Sequence, residues 1–80
     1  MRGGEAVLTL RERVLMYFAR NPDEELTSRD IAEKFEARDV REAGRALRYA
    51  VEQGLLCRRF EARQLAVYSA GPELLREVGA

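Results

Sequence analysis

The sequence predicts an α+β fold, mostly α: a three-helix core, a short β-hairpin and a short C-terminal helix. Three observations predict it. Threonine or aspartate N-caps, each followed three residues later by an acid, precede three segments with apolar residues at helical spacing. After Gly54 the period changes, and two runs rich in strand formers follow. Gly71-Pro72 then breaks the chain, and proline suits the first position of a last helix.

Eighty residues predict a single domain, 1–80. A chain of this size buries only roughly 60–65% of its unfolded surface, so self-association is a natural supplement to its stability. Fourteen basic residues balance fourteen acidic ones. The charge is unevenly placed, however. Residues 38–63 hold seven arginines against four acids, a surplus of three offset by an acidic surplus elsewhere. One cysteine and no histidine exclude an internal disulfide, a thiolate metal cluster, the usual zinc sites and a histidine-based triad. The expectation is therefore no cofactor, no metal and no enzyme. Cys57 reads as a small apolar strand residue. No apolar run approaches a membrane span and no signal peptide is visible, so a cytoplasmic protein is expected.

Met1–Gly4 reads as a flexible start. Val7 and Leu8 could pack on the core, extend the next helix or meet a partner subunit. Thr9 with Glu12 makes a capping-box pattern opening a helix from Leu10 to Arg20, which Asn21-Pro22 stops. Its Leu10, Val14, Tyr17 and Phe18 form a core stripe. Leu26 could sit in a very short strand. Thr27 with Asp30 then caps a second helix, whose inner face is Ile31, Ala32 and Phe35. Glu36–Arg38 leaves only a tight turn before the next cap, a helix-turn-helix arrangement.

Asp39 with Glu42 predicts the start of a third helix over 39–53, and Gly54 supplies the left-handed residue that ends it. At 100° per residue, Val40, Ala43, Gly44, Leu47, Ala50 and Val51 gather on one side, the core side. Arg38, Arg41, Arg45 and Arg48 fall together on another. A solvated charged face is the plain reading of that row.

Beyond Gly54, the hairpin is placed at 55–69. Leu56, Arg58 and Phe60 alternate with Cys57, Arg59 and Glu61, and Leu65–Ser69 forms the second run. With neither Asn-Gly nor Asp-Gly between them, a four-residue loop, Glu61–Gln64, is expected. Pro72–Val78 makes the terminal helix, with Leu74, Leu75 and Val78 on its apolar side. The expected core is Leu10, Val14, Phe18, Ile31, Phe35, Leu47, Val51, Leu56 and Val67.

Leu26–Phe35 (LTSRDIAEKF), the third helix, Val51–Leu56 (VEQGLL) and the hairpin together resemble the winged helix-turn-helix family of small bacterial and phage transcriptional regulators. The resemblance covers Thr9 to Ser69. It implies that the third helix enters a DNA major groove and that the hairpin, as the wing, touches backbone or minor groove. By position, Arg38, Arg41, Arg45 and Arg48 become base-reading candidates. Arg41 and Arg45 lead, since an arginine fork matches guanine O6 and N7. Thr27, Ser28 and Arg29 become phosphate candidates at a helix start. On the wing, Arg59 and Arg63 are preferred to Arg58, which alternates onto the side of Leu56 and Phe60. The chain departs from the family pattern in a short wing without glycine and in Glu36, Asp39 and Glu42 near the groove entry.

The resemblance implies a sequence-specific regulator of double-stranded DNA. A small core with spare apolar residues at both ends, Val7, Leu8, Leu74, Leu75 and Val78, adds the expectation of a homodimer through the terminal segments. No small-molecule ligand and no membrane partner is signalled. The alternative is a winged-helix module that docks an acidic protein surface without binding DNA.

Overall fold

The computed structural model describes residues 8–63 and 65–79. The expected flexible start and Val7 lie outside them. The element order is α1 (Leu10–Arg20), β1 (Glu25–Thr27), α2 (Ser28–Lys34), α3 (Val40–Glu52), β2 (Leu56–Ala62), β3 (Leu65–Ala70) and α4 (Pro72–Glu77).

Local chemistry sets the helix starts. In α1 the Thr9 hydroxyl accepts from Glu12 N–H, and the Glu12 carboxylate accepts from Thr9 N–H. Thr27 and Asp30 repeat this reciprocal box at α2. At α3 only half of the expected box forms. Asp39 accepts from Glu42 N–H at 2.9 Å, but the Glu42 carboxylate reaches back to Arg38 N–H at 2.6 Å. Both helix ends flanking that region use the left-handed conformation. Gly54 has φ 81°, and Leu55 N–H bonds Ala50 C=O, six residues spanned in the Schellman manner. Glu36 has φ 58° and Ala37 N–H bonds Ala32 C=O, so the α2–α3 turn uses the same device without a glycine.

The three strands form one antiparallel sheet of order β1-β3-β2, with β3 in the middle. Ala62 pairs with Leu65, so only positions 63 and 64 connect the strands. The expected four-residue loop is thereby corrected. Phe60 faces Ala66 and Ala62 faces Leu65, leaving Glu61 as an extra residue in a bulge. A bulge adds local twist, and the short connection then closes without the usual turn dipeptide.

Val14, Phe18, Ile31, Phe35, Leu47, Leu56 and Val67 are buried as expected. Leu10 and Val51 are only partly buried against that cluster. Ala43, Ala50, Ala66, Tyr68 and Leu74 complete the buried set, Tyr68 being among its largest side chains. Leu74 thus serves this chain's own core, whereas Leu8 and Val78 remain exposed. Beyond Leu56, every β2 residue is exposed. Phe60 is 63% exposed, and Cys57, read as a small apolar strand residue, is exposed as well. The reason is topological. As the edge strand, β2 leaves the core after its first residue, so neither of its faces is covered. Val40, expected on the core side of α3, is 45% exposed because it is the first helical residue and lies past the rim of the core.

Candidate nucleic-acid interface

Direct cross-strand pairing decides which side of the wing each residue takes. Arg58 lies opposite Tyr68 and Phe60 opposite Ala66, so these four share the face turned toward α3. Cys57 opposite Ser69 and Arg59 opposite Val67 share the other face. There β1 adds Glu25 beside Ser69 and Thr27 beside Val67.

On the α3 side, Ser28, Val40, Arg41, Gly44, Arg58, Phe60, Ala66 and Tyr68 enclose an open depression of about 380 Å³. The Arg58 guanidinium carbon lies 5.6 Å from the Phe60 ring centre, a cation–π distance that holds the cation over the wing stem. A second depression of about 500 Å³ is lined by Thr27, Ser28, Arg29, Val40, Arg63 and Leu65. Ser28 and Val40 line both, so the two adjoin and make a trough of two parts at α3, the start of α2 and the hairpin. Four elements contribute an arginine each: Arg29 from α2, Arg41 from α3, Arg58 from β2 and Arg63 from the hairpin connection. Among the described residues, no carboxylate lines either depression.

Of the nine residues singled out in the sequence, the trough gathers Thr27, Ser28, Arg29, Arg41 and Arg63. Ser28 is buried, with 8% exposed, at the floor. The first-turn N–H of Asp30 is already taken by Thr27, and the Asp30 carboxylate sits on the same helix end, so charge there is largely offset. Arg38, Arg45 and Arg48 are exposed outside the trough. Arg48 pairs with Glu52 at 3.3 Å one helical turn on, an exposed pair of little energetic weight. Among the described residues Arg38, Arg41, Arg45 and Arg63 have no carboxylate within salt-bridge distance.

Arg59 stands apart. Its guanidinium makes a fork on Glu25 at 2.9 and 3.1 Å, and its Nε meets Glu61 at 2.6 Å. Hydrogen bonds to Glu25 and then to Glu61 raise its pKa further, and the Arg59 hydrogen bond and charge hold the Glu25 carboxyl below the usual carboxylate range. One cation set between two carboxylates leaves a local charge of −1, on the wing face away from α3.

Sequence reasoning ranked Arg58 below Arg59 and Arg63, gave Val40 and Gly44 to the core side of α3, and gave Phe60 no functional role. The signal was present in the alternation of Leu56, Arg58 and Phe60. Sharing a side with the core residue Leu56 lowered Arg58 in rank, although only Leu56 is covered on β2.

The sequence matches no protein-family model and no curated protein. Among solved structures, the chain is similar to the ferric uptake regulator from Francisella tularensis with iron. The TM-score is 0.65 at 21% identity, over 90% of this chain and 58% of that one. The fold is a winged helix. In this winged helix, α2 and α3 form the helix-turn-helix and β2–β3 the wing. The chain spans little more than half the length of that neighbour. Among the described residues, no cluster of histidine, cysteine, aspartate and glutamate is arranged to hold a metal ion, and no helix is long and apolar enough to cross a membrane.

Proposed function

We propose that this chain is a sequence-specific, double-stranded-DNA-binding transcriptional regulator acting as a homodimer. One observation carries the reading: four arginines from four elements rim two adjoining depressions between the helix-turn-helix and the wing, two in each, and no described carboxylate lines either. A net charge of zero would not draw a polyanion, but a local patch of one sign does. Arg41 and Arg45 on the first half of α3 are the base readers, while Arg29 and Arg63, with Arg58 added, meet phosphate. Arg38 and Arg48 flank them, and Thr27 and Ser28 shape the trough floor. Arg59, clasped by two carboxylates, supports the wing instead. Among the described terminal residues, the exposed Leu8 and Val78 are free to make the dimer contact, with half-sites about 34 Å apart.

The test is binding to a random duplex over a series of salt concentrations. Three to four phosphate contacts per protomer, or six to eight for the dimer, give a slope of log affinity on log salt of about −5 to −7. A sequence selected from a random pool should then bind more tightly than the pool. Absence of duplex binding by the wild type at low salt would overturn the reading in favour of an acidic protein partner.

A further inference from the structure

Gly44 lies in the middle of α3, where glycine is among the least favourable residues, second only to proline. The other described glycines have internal reasons. Gly54 and Gly79 take left-handed φ values of 81° and 76°. A Cβ on Gly71 would run into Gly54 O and lie 2.8 Å from Leu55 C. Gly44 has neither reason: its φ is helical, and a Cβ there would meet nothing within 4 Å. That open space is the trough, whose wall Gly44 forms beside Arg41 and opposite Arg58 and Phe60.

We infer that α3 presents bare backbone at Gly44 so that one sugar–phosphate strand of a DNA duplex lies against the helix there, held by Arg58 while Arg41 beside it reaches past to the base edges. This rests on the DNA reading above and adds the path of the strand. The lining suits that occupant. Its cations come from both walls, Arg58 for the phosphate ester and Arg41 for the bases beyond it. The exposed Phe60 and Val40 offer apolar contact to the C–H faces of deoxyribose. The buried Tyr68 and Ala66 give a firm floor from the central strand. Any side chain at position 44 would stand where the strand must come closest.

The fold gains from a side chain at 44 and the complex loses, so stability and binding move in opposite directions. Gly44→Ala should raise Tm by about 2–8 °C, the gain of alanine over glycine inside a helix in a domain of this size. Its affinity for a random duplex, read by fluorescence anisotropy, should fall. Gly44→Leu should fold as well and bind about tenfold or more weakly, equivalent to about 1.4 kcal/mol. The salt slope of Gly44→Leu should also flatten by about one unit per protomer, because the strand can no longer reach Arg58. Arg58→Ala should flatten it by the same amount. If both Gly44 variants bind duplex DNA with wild-type affinity and slope, the strand path is wrong while DNA binding stands. If Gly44→Ala lowers Tm, the glycine has an internal role and the inference falls on that ground. If the wild type binds no duplex, both readings fall together.

Discussion

Arg59 reaches across the central strand to grip Glu25, its Nη1 and Nη2 lying 2.9 and 3.1 Å from the two carboxylate oxygens. Arg59 stands opposite Val67 on β3, and Glu25 opposite Ser69, so the bridge crosses β3 diagonally and ties β2 to β1. The wing is thereby fastened to the sheet by side chains as well as by its ladder. Both partners are about half exposed, which keeps the energy of the clasp modest despite its bidentate geometry.

The clasp carries a pH signature. Arg59 depresses the folded-state pKa of Glu25, so the linked stability is fully present above the unfolded value, near 4.5, and is lost as pH falls through the lower folded value. Glu25→Gln should therefore lower Tm at neutral pH. The difference from wild type should shrink below the unfolded value as Glu25 itself becomes neutral. A Tm gap that stayed constant from neutral to strongly acid pH would show that the carboxylate charge is not what Arg59 uses.

Leu47 is fully buried at the centre of the inner stripe of α3. Leu47→Ala should cost roughly 2–5 kcal/mol, the transfer energy lost plus the cavity left behind. Urea denaturation checks it, and a loss under about 0.5 kcal/mol would contradict the packing of α3 described here.

Glu36 is the one described residue other than glycine with a positive φ, at 58°, in the turn between α2 and α3. Its side chain is exposed. Glu36→Gly should stabilise the domain by about 0.5–1 kcal/mol, the left-handed strain relieved less the added freedom of glycine in the unfolded chain. A decrease in Tm would mean that the Glu36 side chain contributes a contact that outweighs its backbone strain.

Arg41→Ala or Arg45→Ala should weaken binding to a selected operator by roughly 1–3 kcal/mol and relax its sequence preference. Arg63→Ala should weaken binding to all duplexes alike and flatten the salt slope by about one unit per protomer. Arg59→Ala should leave that slope unchanged, because its charge is spent on Glu25 and Glu61. Equal losses on operator and random DNA for all four substitutions would replace base reading with a general cationic patch.

Much of this architecture was determined by interactions between near neighbours in the chain. Thr9 with Glu12, Thr27 with Asp30, and Gly54 after α3 place helix ends through hydrogen bonds spanning three to five residues, so the sequence alone locates them. The apolar spacing likewise identifies Val14, Phe18, Ile31 and Leu47 as core. The wing is different. Which face of β2 is covered depends on the strand order β1-β3-β2 and on where α3 ends, and those elements lie far away in sequence. Arg58 and Arg59 are chemically identical neighbours whose alternation the sequence shows plainly. Only the tertiary arrangement decides that Arg58 faces the trough beside Arg41, while Arg59 turns to Glu25, thirty-four residues earlier. Strand alternation is a local property, but a face becomes core, groove or clasp only through what the rest of the chain brings against it.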